Sequence, residues 1–118
     1  MVVKRIVPNI GAADLDALRH FYVDALGLDV VMDQGWIVTL ASPASSRPQL
    51  SLATEGGAGT PVPDLSIEVD DFGEVLDRIA KGGWPVVYGP AVETWGVRRI
   101  FVRDPAGRLV NILSHETP

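Results

Sequence analysis

Cysteine does not occur in this chain of 118 residues. Disulfides, thiolate metal sites and cysteine nucleophiles are therefore excluded. Histidine is nearly as scarce, with two copies. His20 lies inside the first amphipathic stretch and reads as a solvated helix residue. His115 lies in the tail "SHETP", which reads as a fraying terminus. A histidine-based general acid, base or metal site has little support. Positive charge is in deficit: ten Lys and Arg stand against fifteen Asp and Glu, a formal net charge of -5. With no basic run and no aromatic-basic stripe, a nucleic-acid partner is not expected. No apolar run approaches the roughly 20 residues of a membrane span. The start, "MVVKRIVPNI", is too short and broken for a signal peptide. A soluble cytoplasmic protein with no membrane partner is expected. A Gly-rich phosphate loop, a nucleophile elbow and a carboxylate pair beside a histidine are missing too.

Hydrophobic residues, by contrast, make up 47% of the chain and charged ones 21%, enough for one domain with a real core. "VKRIVPNI" is rich in β-branched residues and reads as a strand, cut short by Pro8. "ADLDALRHFYVDALG" places Leu15, Leu18, Phe21, Tyr22 and Leu26 at helical spacing, with Asp14 as N-cap and Gly27 past the end. "LDVVMD", "WIVTLAS" and "PQLSLAT" read as three short strands, the last two joined by the turn "SPASSRP". "EGGAGTPVP" lacks periodicity and reads as a linker.

The order then repeats. "DLSIEVDD" alternates as a strand. "DFGEVLDRIAKGG" is a helix with Phe72, Val75, Leu76 and Ile79 on one face, Asp71 and Glu74 at its start, and Gly82 and Gly83 at its end. "WPVVYG", "RRIFVRD" and "RLVNIL" supply three strands, with "DPAG" as the last turn. Asp14 and Asp71 are offset by 57 residues, and Val30 and Val86 by 56. The expected architecture is α+β, two tandem βαβββ modules forming an open sheet that lines a cavity. Module one spans about 1-54, the linker about 55-63 and module two about 64-115, within a single domain over 1-118.

Two stretches carry a family resemblance. "ADLDALRHFYVDALGLDV" resembles the D-L-x-x-x-x-x-F-Y-x-x-x-L-G stretch of the vicinal oxygen chelate superfamily, which holds glyoxalases, extradiol dioxygenases and bleomycin-resistance proteins. "WGVRRIFVRDPAGRLVNI" resembles its C-terminal W-G-x-R-x-F-x-V-x-D-P-x-G-N-L-x-E signature. The resemblance covers nearly the whole chain and is specific for the fold, not for a reaction. It implies four cavity-facing positions, on the first and last strand of each module, which metal-dependent members fill with His, Gln or Glu. Those positions fall here on Val7, Ser51, Asp64 and Asn111. A valine, a hydroxyl, one carboxylate and an amide make a poor site for a divalent ion, so no metal and no cofactor are expected. Asn111 is expected to point into the cavity as a hydrogen-bonding group. Glu68 shares the strand parity of Asp64 but reads as a solvated or salt-bridged strand end.

Three of the few aromatics are tryptophans. In bleomycin-type members, aromatics near strand ends stack a planar ligand, which makes Trp36 and Trp95 candidates for one cleft. Trp84 follows the second helix, and core or dimer packing is an equal claim on any one of the three. Arg98 and Arg99 read as surface charges or salt-bridge partners, with contact of one of them to an anionic ligand as the alternative, and nothing singles out Tyr22 or Tyr88. The expectation is a metal-free small-molecule binding protein of bleomycin-resistance type, a homodimer whose ligand, a drug or antibiotic among the candidates, is partly aromatic. The ligand contacts are assigned to Trp36, Trp95, Asp64, Asn111, Ser51 and Val7. The alternative is a divalent-metal-dependent lyase or dioxygenase with an atypical site around Asp64, which leaves enzyme activity open and catalytic residues unassigned.

Overall fold

The second half of the chain builds the larger sheet, because its strands alternate apolar residues that need a helix to cover them. In the computed structural model, which describes residues 5, 7–46 and 49–115, β3 (Leu65–Glu68), β4 (Val86–Val92), β5 (Val97–Arg103) and β6 (Leu109–His115) form a sheet of order β3-β6-β5-β4. β3 runs parallel to β6, and the other pairs are antiparallel. The crossover from β3 is α2 (Phe72–Gly82). Asp71 caps it by accepting a hydrogen bond from the Glu74 amide at 3.0 Å, and Gly83 ends it in the left-handed region at φ 72.

One face of this sheet carries Leu65, Ile67, Ile100, Val102, Val110 and Ile112. Phe72, Val75 and Ile79 of α2 pack on it, joined by Leu18, Phe21, Tyr22 and Ala25 from the first half of the chain. Those four come from α1 (Leu15–His20) and the π-helical turn that continues it, Phe21–Ala25. Asp14 caps α1 through the Ala17 amide at 3.0 Å. The helices of both halves therefore share one core, which no single βαβββ unit could enclose. The wider π turn brings the adjacent residues Phe21 and Tyr22 inward together.

The remaining strands, β1 (Asp29–Asp33) and β2 (Val38–Ala41), form a separate antiparallel hairpin. Its turn is fixed by Asp33. The Gly35 amide and the Arg19 guanidinium both donate to that carboxylate and hold it below the usual range, the amide contributing more.

Three element expectations change. Of the strand expected in "VKRIVPNI", Val3, Lys4 and Ile6 lie outside the described residues, and Arg5 and residues 7–10 carry no strand. In "PQLSLAT", Pro48 lies outside them, and residues 49–54 run unpaired. The alternating pattern is present there, yet a strand needs a neighbour to accept its backbone hydrogen bonds. His115 is not in a fraying tail: it closes β6, paired opposite Val97, with its Nδ1 3.2 Å from Glu68.

Candidate functional site

The register across the large sheet determines what its second face displays. Ser66 pairs with Asn111, Asn111 with Phe101, and Phe101 with Tyr88, one row across all four strands. The next row on that face holds Glu68, Leu113, Arg99 and Ala91. Because strand side chains alternate, these residues stand opposite the helix-covered core. The face is polar at its centre but not open to water throughout: Asn111 is 8% exposed, Phe101 1% and Arg99 3%.

Asn111 is the most informative member. Its Nδ2 donates to Ser66 Oγ at 3.1 Å. Its Oδ1 is buried and has no hydrogen-bond partner among the described residues. Leaving such an acceptor unpaired costs about 1–3 kcal/mol, and exchanging the amide's two ends only moves the orphan to the nitrogen. Asp64 precedes β3, where its Oδ2 accepts from the Leu109 amide at 2.8 Å. That bond ties the start of β3 to the start of β6.

Toward the other end of the face, Arg99 is enclosed rather than lying at the surface, and the salt bridge expected for it is made. Its Nε donates to Glu93 Oε1 at 3.1 Å, its Nη1 to the Gly56 carbonyl at 2.7 Å and its Nη2 to the Gly57 carbonyl at 3.1 Å. The guanidinium carbon lies 5.3 Å from the Tyr88 ring centroid, 5.0 Å from Trp95 and 4.8 Å from Phe101. The Tyr88 hydroxyl also donates to Glu93 Oε1. That bond, then Arg99, holds the Glu93 carboxyl below its usual range. The same bond, then burial, raises Tyr88 against the opposing pull of Arg99. Arg98 alternates to the core side of β5, over the Phe72 ring at 5.0 Å.

The sequence-assigned residues are distributed unevenly around this face. Asn111 is part of it, Asp64 borders it, and Trp95, 51% exposed in the β4–β5 turn, lies against Arg99. Trp36 is 76% exposed at the tip of the β1–β2 hairpin and meets no other aromatic ring among the described residues. Val7 is 48% exposed and Ser51 lies in the exposed segment 49–54. Trp84 packs edge-on against Phe21 at 5.1 Å. Two grooves occur elsewhere, one of about 170 Å³ bordered by Leu26, Glu74 and Arg78, the other of about 500 Å³ bordered by Phe72, Arg98 and His115.

Metal-dependent relatives of the kind resembled would place a divalent ion on the four positions. The donors do not fit one. Val7 has no lone pair, one Asp64 oxygen is engaged by a backbone amide, and Asn111 offers a single neutral oxygen. Among the described residues, no three His, Cys, Asp or Glu side chains are grouped to hold an ion.

Sequence reading missed Glu93 and the enclosure of Arg99. Their charge pattern alone is that of a surface pair, and what encloses them is a glycine-rich loop 42 residues away in sequence.

Comparisons with known proteins show the family and the fold. The family model of the Glyoxalase/Bleomycin resistance protein/Dioxygenase superfamily matches residues 5–112. A bleomycin resistance protein of Klebsiella pneumoniae is 25% identical over 121 residues, covering 98% of this chain and 95% of that one. Among solved structures, TnmS3, an antibiotic binding protein from Streptomyces sp. CB03234, superposes with a TM-score of 0.65 at 24% identity, covering 91% of each chain. TioX from Micromonospora sp. ML1 gives 0.67 at 22% identity and covers 98% of each.

Proposed function

The chain belongs to the Glyoxalase/Bleomycin resistance protein/Dioxygenase superfamily, and from that premise we propose that it is a metal-free binding protein for a small, partly aromatic molecule of the antibiotic type. It acts in the cytoplasm as a homodimer, without catalysis. The observation that carries the reading is the buried, unpartnered Oδ1 of Asn111 on the sheet face away from the core. A buried acceptor without a partner is rare in folded proteins, and a ligand donor is one way to satisfy it. A ligand bearing an N–H or O–H group does so and recovers that cost only when bound. The names of two relatives support the class of ligand, one a bleomycin resistance protein and the other an antibiotic binding protein.

The half-exposed indole of Trp95 is the apolar contact, stacking on a flat ring. Trp36, Val7 and Ser51 reach the same ligand from a second copy of the chain, and Asp64 adds a carboxylate at the start of β3. Binding of this kind sequesters a molecule rather than transforming it, so no acid, base or nucleophile is required.

Bleomycin is the natural first probe. With protein treated with EDTA, titration is expected to quench tryptophan emission saturably. Trp95→Ala is expected to weaken binding by roughly 1–3 kcal/mol, the scale of a lost stacked surface. Emission unchanged up to millimolar probe, or quenching that appears only when a divalent metal is restored, would refute the proposal.

A further inference from the structure

We infer that Arg99 is a positioning residue: it holds the indole of Trp95 and the loop 56–60 together as one rigid wall, and this preorganisation sets the affinity of the site. The inference rests on the proposed contact between Trp95 and ligand.

Trp95 is not on a strand. It occupies the turn closed by the Glu93 amide on the Val97 carbonyl at 2.8 Å and the Gly96 amide on the Glu93 carbonyl at 3.1 Å. Those bonds fix the backbone but not the ring. Two other contacts do. The guanidinium of Arg99 covers one side of the indole. The backbone of Gly57 abuts the far edge, so closely that a Cβ there would stand 2.9 Å from Trp95 Cη2. Gly57 also has a φ of +86, a conformation L residues rarely adopt.

Arg99 is what joins those two contacts. Its forked donors reach the Gly56 and Gly57 carbonyls while the same guanidinium lies over the Trp95 ring, 5.0 Å from its centroid. The loop is closed on itself by Gly56 and Thr60, whose backbone groups bond at 2.8 Å, and by the Thr60 hydroxyl on the Gly57 carbonyl at 2.7 Å. Tyr88 and Phe101, the other two rings around the guanidinium, are fixed by strands. The charge is balanced by Glu93, whose side chain is 8% exposed against 4% for that of Arg99.

Stability alone is a weak reason for such a cluster. A buried ion pair is commonly no better than apolar residues of the same volume, because removing two charges from water offsets their attraction. Geometry is what an apolar replacement would lose. Only a planar fork can grip two carbonyls and a carboxylate while its cationic carbon stays over a ring. A ring already ordered in the free protein binds without the entropy cost of immobilising it.

The test uses full-length protein labelled with 5-fluorotryptophan, whose three fluorine signals are assigned by single Trp→Phe substitutions. In Arg99→Met, the Trp95 signal is expected to shift and narrow as the ring gains motion, with those of Trp36 and Trp84 unmoved. The Kd for bleomycin is expected to rise about tenfold. Arg99→Lys keeps the charge but not the fork, and is expected not to restore either readout. Gly57→Ala leaves Arg99 in place and is expected to move the same fluorine signal, which covers the case of an Arg99 variant that does not fold. An unmoved Trp95 signal in Arg99→Met and Gly57→Ala overturns the inference. So does a mobile Trp95 with unchanged Kd, provided Trp95→Ala itself weakens binding. If Trp95→Ala leaves Kd unchanged, or the parent protein does not bind bleomycin, the functional reading fails instead, and the claim that Trp95 sets affinity is overturned with it. The fluorine spectra then still decide whether Arg99 orders the ring.

Discussion

Tyr22 and Asp104 come from the two stretches that carry the family resemblance, 82 residues apart, and they meet. The Tyr22 hydroxyl donates to Asp104 Oδ2 at 2.7 Å inside the core. The other oxygen of Asp104 accepts the Ala106 and Arg108 amides, both at 2.9 Å, which shapes the "DPAG" turn. One carboxylate thus fastens the first helix to the last hairpin. Tyr22→Phe should cost about 1.5–3 kcal/mol, the range for a hydrogen bond to a charged group. Asp104→Ala should cost more, since it orphans three donors. Urea unfolding measures both. Burial first, then the bond to Asp104, raise the Tyr22 hydroxyl far above its ordinary 10.0. In the unfolded chain it ionises near 10.0 while in the folded chain it stays protonated. Its contribution is therefore complete below pH 10.0 and is lost as pH rises beyond it. Stability should fall above pH 10 in the parent and less steeply in Tyr22→Phe, with a remainder from Tyr88, which is also raised.

At the scale of elements, both helices were legible because their signals are local. Asp14 and Asp71 cap as the sequence implies, and of the periodic face of α2 Phe72, Val75 and Ile79 are buried while Leu76 is half-buried. Asp71→Ala should lower stability by about 1 kcal/mol, the ordinary worth of an N-cap, read as a drop in the urea midpoint at unchanged slope. The π turn was not legible, because its widening answers to a tertiary demand, the joint burial of Phe21 and Tyr22. Segment 49–54 has strand-like alternation at Leu50 and Leu52, yet both are bare, 77% and 89% exposed. Its pairing depends on a partner that local pattern does not specify. The candidate site divides the same way. Asn111 was visible from its place in a motif, whereas Arg99 needed the fold of the 56–60 loop to become more than a charge.

For the whole molecule, the outward apolar residues are the dominant feature. Val31, Trp36, Leu50, Leu52 and Val92 are each at least 60% exposed. They lie on the β1–β2 hairpin, the 49–54 segment and the edge strand β4. Surface of this kind, next to an edge strand with free backbone groups, is what self-association covers. The proposed homodimer should give twice the 12.7 kDa chain mass in light scattering at micromolar concentration. A monomer mass there would sink it. Leu52→Glu should shift the mass toward monomer, because a charge buried at an interface is costly.

The second sheet face is proposed to bind a ligand through the unpaired acceptor of Asn111. Asn111→Leu tests that claim most directly, with bleomycin affinity and unfolding free energy measured on the same protein. Leucine removes the orphan oxygen at the cost of one hydrogen bond to Ser66. The account predicts unchanged stability, or a gain of up to about 1 kcal/mol, together with a loss of binding of tenfold or more. A variant that binds as tightly as the parent, or one that loses several kcal/mol of stability, would show that Asn111 serves the fold and would contradict the account.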